Sequence, residues 1–179
     1  MKEVIIFVCN GNIYRSVIAA QRLRDILKKK RPSSNFVVSS YGLQGTMGTH
    51  LPKHRRLSEY PKEWKVAEPI LRKLNINISG HSFKRMTARA AKEASIMVAM
   101  DDRCYSRAKN SLIKQFPTQA YKIHSFSELT RGYKSIDDPV GSNNANLHKR
   151  IIRTICVVLD KRYKDILAWG LESRRMTSR

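Results

Sequence analysis

Residues 8–16 read Val-Cys-Asn-Gly-Asn-Ile-Tyr-Arg-Ser, between the apolar run Val4-Ile5-Ile6-Phe7-Val8 and a helical pattern that begins near Ser16. An apolar run of that length, bounded by Asn and Gly, reads as a buried strand, so the segment joins a strand to a helix N-terminus. Few arrangements constrain a fold more. Strand, short loop and helix in this order point to an α/β domain with the loop at the carboxyl edge of a parallel sheet.

Backbone N–H groups of such a loop, added to the free N–H groups of the helix's first turn, form a concavity of positive potential suited to a tetrahedral anion. Asn10, Gly11, Asn12, Ile13, Tyr14, Arg15 and Ser16 are therefore the candidate phosphate-binding residues. Cys9 sits at the floor of the loop, where this field is expected to hold it as a nucleophilic thiolate. Arg15 adds a planar fork able to grip two anion oxygens. Gly11 is expected to supply the backbone freedom for the tight turn. A cysteine at a strand end is ordinarily a small apolar filler. Here strand, Cys-x5-Arg-Ser spacing, glycine and helix coincide, which favours the nucleophile.

The loop resembles that of the low-molecular-weight protein tyrosine phosphatase family, with Cys9, Gly11, Asn12, Arg15 and Ser16 at the signature positions. Weaker matches follow in order: Val38–Gly42, Leu71–His81, Met86-Thr87, Ile96–Asp101 and Asp138-Pro139. The resemblance implies a two-step hydrolysis. Cys9 attacks phosphorus while Asp138 protonates the leaving oxygen, and water then cleaves the cysteinyl-phosphate with Asp138 as base. It further implies that Arg15 and the loop amides hold the equatorial oxygens, and that Asn12, Ser16, Ser40 and His81 form a supporting network. Neither a metal nor another cofactor is implied.

Three positions depart from the family pattern. Tyr14 replaces a second loop cysteine, so an oxidised Cys9 lacks its usual disulfide partner. Val17 stands where proline is common, and Val140 stands where an aromatic residue usually walls the substrate slot, which leaves phosphotyrosine preference open. Tyr14, Tyr41 and Trp64 are candidate replacement walls. By the same resemblance Ile13 lines the leaving-group pocket, which favours an aryl phosphate over phosphoarginine.

The 179 residues, 41% hydrophobic, suffice for one domain. It is expected to span residues 1–170, with a basic tail over 171–179. Four parallel strands covered by helices on both faces are expected: strands near 4–8, 36–38, 95–100 and 119–124, and helices over 17–30, 62–74, 87–94, after Asp101-Asp102, and from about Asn144 to Gly170. Residues 41–61, with Gly42, Gly45, Gly48, Pro52 and Pro61, read as a long loop near the rim of the site. Residues 130–143 read as the loop bearing the acid. No membrane span or signal peptide is evident. Cys9, Cys104 and Cys156 show no disulfide or zinc spacing, so a cytoplasmic, reducing setting is expected, with Cys104 and Cys156 as ordinary thiols.

Asp137 competes with Asp138 for the acid's role, and its position before Pro139 favours Asp138. His81 reads as a structural hydrogen-bonding residue. Asp101 either belongs to the site or caps the next helix. Besides a phosphatase acting on a phosphorylated protein or small aryl phosphate, two functions remain open: an arsenate reductase, and a catalytically weak phosphate-binding regulatory protein. Oligomeric state is left open.

Lys and Arg number 35 against 14 Asp and Glu, a net charge of +21. The charges are dispersed and no nucleic-acid module is present, so non-specific polyanion binding is expected. Binding to RNA or DNA should fall steeply with salt. Nanomolar, sequence-selective binding at physiological salt would contradict this.

Overall fold

The structure, a computed structural model, describes residues 2–32, 35–130 and 135–177, with side chains up to residue 173. Ser33-Ser34, residues 131–134 of the expected acid-bearing loop and the end of the expected tail lie outside the described residues.

The first strand, β1 (Glu3–Cys9), lies inside a four-stranded parallel sheet beside β2 (Phe36–Gly42), β3 (Ile96–Ala99) and β4 (Ile123–Ser125), in the order β2-β1-β3-β4. A parallel strand covered on both faces is apolar on both, and β1 obeys this rule. Ile5, Phe7 and Cys9 join one core, whereas Ile6 and Val8 join the other. The same alternation places Ile96 and Val98 in the first core and Met97 and Ala99 in the second.

Three helices cover the first face: α1 (Arg15–Lys30), α2 (Pro61–Lys73) and, after two shorter helices, α5 (Ala145–Thr177). Ile18 and Leu23 of α1, Leu71 of α2 and Ile152, Ile155 and Leu159 of α5 are buried there at the helical spacing read from sequence. The opposite face is covered more thinly. It carries α3 (Ala88–Glu93), α4 (Leu112–Gln115) and a single wide turn over Arg103–Arg107, contributing Ala90, Ala91, Leu112 and Cys104.

Local chemistry sets several boundaries. Thr87 accepts a hydrogen bond from Ala90 N (3.1 Å), capping α3. Pro61 opens α2, where a missing N–H costs nothing. Asn144 Oδ1 accepts from Asn146 N and Leu147 N at 3.0 and 3.1 Å, which starts α5. That helix runs through Gly170 to Thr177, beyond the end expected from sequence.

Other differences have equally local causes. β2 begins at Phe36 as expected and runs through Gly42, two residues into the stretch read as loop, because every residue from Phe36 onward pairs with β1. The fourth strand is shorter than 119–124, since Pro117 opens a tight helical turn over Pro117–Lys122 and only Ile123–Ser125 reach β3. After Asp101-Asp102 the chain makes the wide turn and the short α4 instead of one regular helix. The 41–61 loop is compact: it contains a tight turn at Leu57–Glu59, and Thr46 and Thr49 bond backbone carbonyls within it. Among the described residues no helix is long and apolar enough to cross a membrane.

Candidate active site

β1 ends at Cys9 and α1 starts at Arg15, so the loop between them crosses the carboxyl edge of the sheet. Its first half is strapped to the end of β2. Leu43 N and Gln44 N both donate to Asn10 O, at 2.9 and 3.0 Å. Gly42 lies directly beneath: a Cβ there would stand 2.9 Å from both Asn10 O and Asn12 Cβ and 2.8 Å from Phe83 Cε2. Only glycine lets the loop settle at this height.

The tight turn is made by Asn12, not by Gly11 as expected. Asn12 has φ 46°, and Gly11 is not among the described residues with positive φ. Asn tolerates the left-handed region better than most residues, and here its side chain is held at both ends. Oδ1 accepts from Lys84 N (2.9 Å) and His81 Nε2 (3.1 Å), while Nδ2 donates to Ser16 Oγ (3.1 Å). His81 Nε2 also lies 3.1 Å from Asn12 O, so both of its contacts are acceptors and Nε2 carries the proton. Burial, reinforced by the Lys84 and Arg24 charges and opposed by the bond to Asn12, lowers the His81 pKa to about 4.

Cys9 is buried at the floor. Its Sγ lies 3.0 Å from Ser16 Oγ and accepts from Asn12 N at 3.2 Å. Asn12 and Ser16 thus bond the sulfur directly, and His81 is linked to it only through Asn12. Ser40 does not join them. Its hydroxyl is buried with no hydrogen-bond partner among the described residues. The reason is register: Ser40 pairs with Phe7, two residues before Cys9, or about 6.6 Å along the strand.

Arg15 is only 1% exposed. Its Nη1 donates to Ile136 O (2.8 Å) and pairs with Asp101 Oδ2, while Nη2 pairs with Asp138 Oδ2 at 2.6 Å. Nε is buried and has no partner among the described residues. Burial alone would lower the basicity of Arg15, but Asp138, Cys9 and Asp101 outweigh it and raise it. The Asp101 carboxyl is likewise held below its ordinary range: against burial, the Arg15 charge and the Cys104 N–H, donated to Asp101 Oδ1 at 2.7 Å, prevail. Asp101 therefore pairs with Arg15 and also holds the Cys104 N–H of the wide turn that stands in place of the expected helix. Asp137 turns away and pairs with Arg150 at 3.1 Å.

A cleft of about 500 Å³ reaches Arg15, Asp101 and Asp138, and is lined further by Asn10, Gln44, His50, Arg103 and Lys109. Two expectations about its walls are corrected. Tyr14 is 1% exposed with its hydroxyl bonded to His148 Nδ1, so it cannot wall a slot. Ile13 is buried in the main core, and the cleft is lined by other side chains. Tyr41 and Trp64 are partly buried against opposite cores. Cys104 and Cys156 are buried thiols; burial pushes the Cys104 pKa up and that of Cys156 to about 11.

Asp101, Glu63, His148 and Gly42 were given no firm role by sequence. Glu63 Oε1 accepts from Gly141 N (2.8 Å), tying α2 to the loop that bears Asp138. Only Gly42 carried a local signal, a glycine ending a strand beside the anion loop.

Residues 4–168 match the family described as low molecular weight phosphotyrosine protein phosphatase. No curated protein matches the sequence. Among solved structures, the chain is similar to a low molecular weight protein tyrosine phosphatase from T. tengcongensis, at 22% identity, 91% of this chain, 99% of that chain and a TM-score of 0.70. It is similar to the YwlE arginine phosphatase from Geobacillus stearothermophilus at 22% identity, 95% and 96% coverage and a TM-score of 0.68. The tyrosine phosphatase Wzb from Escherichia coli K30, in complex with sulphate, gives 21%, 93% and 99%, and 0.65.

Neutral His81 makes stability depend on pH. Its contribution is complete above about pH 6.5 and is lost as pH falls toward 4, because the unfolded chain takes up a proton that the folded one refuses. In urea titrations across that window the wild type should lose stability relative to His81→Gln, which keeps an N–H donor. Parallel pH curves would contradict this.

Proposed function

The chain belongs to the low molecular weight phosphotyrosine protein phosphatase family of cysteine-dependent phosphatases, and on that premise we propose that it hydrolyses phosphomonoesters, aryl phosphates foremost, through a cysteinyl-phosphate at Cys9. The observation that carries the reading is the buried Arg15 guanidinium, which interacts electrostatically with Cys9 and has an Nε–H with no partner among the described residues. A buried donor of this kind is costly unless something accepts from it. A phosphoryl oxygen in the loop does so.

In the first step Cys9 Sγ attacks phosphorus in line, an S–P bond forms, the P–O bond to the leaving group breaks, and Asp138 supplies the proton to the departing oxygen. Loop amides and Arg15 hold the three equatorial oxygens, where negative charge is concentrated. In the second step a water molecule attacks phosphorus, Asp138 accepts its proton, and the thiolate is released with inorganic phosphate.

Asp138 is bound to Arg15 Nη2. An incoming phosphate ester, entering as its monoanion, competes for that nitrogen, and the displaced carboxylate, 41% exposed as a side chain, takes the ester's proton and delivers it to the leaving oxygen. Asp101, deeper and bonded at both oxygens, keeps Arg15 oriented through the exchange. The substrate is a phosphorylated protein side chain or a small aryl phosphate. Phosphotyrosine is the first candidate, with Val140 standing in sequence where the family usually carries an aromatic wall. A free thiolate nucleophile fits a reducing, cytoplasmic setting. Residues 1–170 form the catalytic unit and 171–179 a basic extension of it.

Cys9→Ser should abolish turnover of para-nitrophenyl phosphate without added metal while phosphate still binds. Asp138→Ala should lower kcat/KM for phenyl phosphate by about a hundredfold or more, and much less for para-nitrophenyl phosphate, whose leaving group needs little protonation. An unchanged rate on both would remove Asp138 as the acid.

A further inference from the structure

We propose that Tyr14 and His148 form a clamp that holds the Asp138-bearing loop against the anion loop, which makes His148 a positioning residue for the acid. The proposal rests on the assignment of Asp138 above. Tyr14 is part of the anion loop itself, directly before α1, and His148 is in the first turn of α5. Both are buried, at 1% and 0% exposure.

The bonding pattern defines every proton. His148 Nε2 lies 2.9 Å from Ser142 O. A carbonyl can only accept, so Nε2 carries a hydrogen, and in the neutral ring Nδ1 then presents a lone pair. Tyr14 Oη, 2.7 Å from Nδ1, must then donate. The phenol is suited to this: burial, aided by the nearby Asp138 charge, raises its pKa and keeps it protonated. The result is one continuous path, Tyr14 O–H to His148 and His148 N–H to the backbone four residues after Asp138.

A buried tyrosine ordinarily needs some partner for its hydroxyl, and that need alone would not make a device. What distinguishes this one is where the partner leads. The loop is fastened before Asp138 by Arg15 Nη1 to Ile136 O (2.8 Å) and after it by Glu63 to Gly141 N and His148 to Ser142 O. Asp138 is therefore suspended between fixed points, two of which, Arg15 and the Tyr14–His148 pair, originate in or next to the anion loop. A side chain without a hydroxyl at position 14 would fill the same volume and leave His148 Nδ1 with no donor.

The test compares Tyr14→Phe, His148→Phe and His148→Gln. Removing the hydroxyl should lower kcat/KM for phenyl phosphate about tenfold, by analogy with partial loss of general acid catalysis, with less than a threefold fall for para-nitrophenyl phosphate. His148→Phe should behave alike. His148→Gln, which retains one donor and one acceptor, should recover most of the loss. Amide hydrogen exchange at Val140–Ser142 should accelerate in Tyr14→Phe and His148→Phe. Equal falls on both substrates would overturn the proposal, as would unchanged exchange at these amides. Should the wild type hydrolyse neither substrate, the assignment of function fails while the exchange measurement still decides whether the clamp exists.

Discussion

A guanidinium removed from water must be surrounded by acceptors or the fold loses several kcal/mol, and in this chain that demand falls on Arg15. Meeting it draws three segments together. Arg15 leaves the anion loop at the start of α1, Asp101 arrives from the end of β3, and Ile136 and Asp138 arrive from the loop before α5. Those segments are joined to one another through the arginine, so the geometry of the site and the packing of the sheet's carboxyl edge are a single problem. The acceptors stop short of full saturation: the buried Nε–H has no partner among the described residues.

Asn12 is the backbone counterpart of Arg15. A left-handed residue in a loop this short bears a conformational cost, and the bonds from Lys84 N and His81 offset it. The loop keeps its shape without substrate because residues far along the chain hold it open. Preorganised donors of this kind are what a transition state of concentrated negative charge requires. Cys9 is part of the same lattice through Asn12 N and Ser16 Oγ.

The strand-loop-helix start, the two-sided burial of β1 and the apolar stripe of α5 were legible in sequence because each depends on local periodicity. Cys9, Arg15 and Ser16 were legible because their spacing alone places them on one loop. Legibility ended where tertiary contacts choose. Gly11 looked like the turn residue, yet two donors about seventy positions away, His81 Nε2 and Lys84 N, hold the side chain of Asn12, which takes the positive φ. Ser40 looked like part of the network, yet strand register sets it two residues too low. Tyr14 looked like a wall, and a partner on α5 takes it inward. Pro117 shortened the fourth strand by a local rule that an apolar count does not weigh.

The central claim is that Cys9 becomes covalently phosphorylated during turnover. Its most direct test is acid quenching of wild type and Asp138→Ala during steady hydrolysis of para-nitrophenyl phosphate, followed by intact-mass analysis and peptide mapping. A phosphoryl adduct confined to the peptide that contains Cys9 is the expected result. Turnover without any adduct, or an adduct on another residue, would contradict the claim.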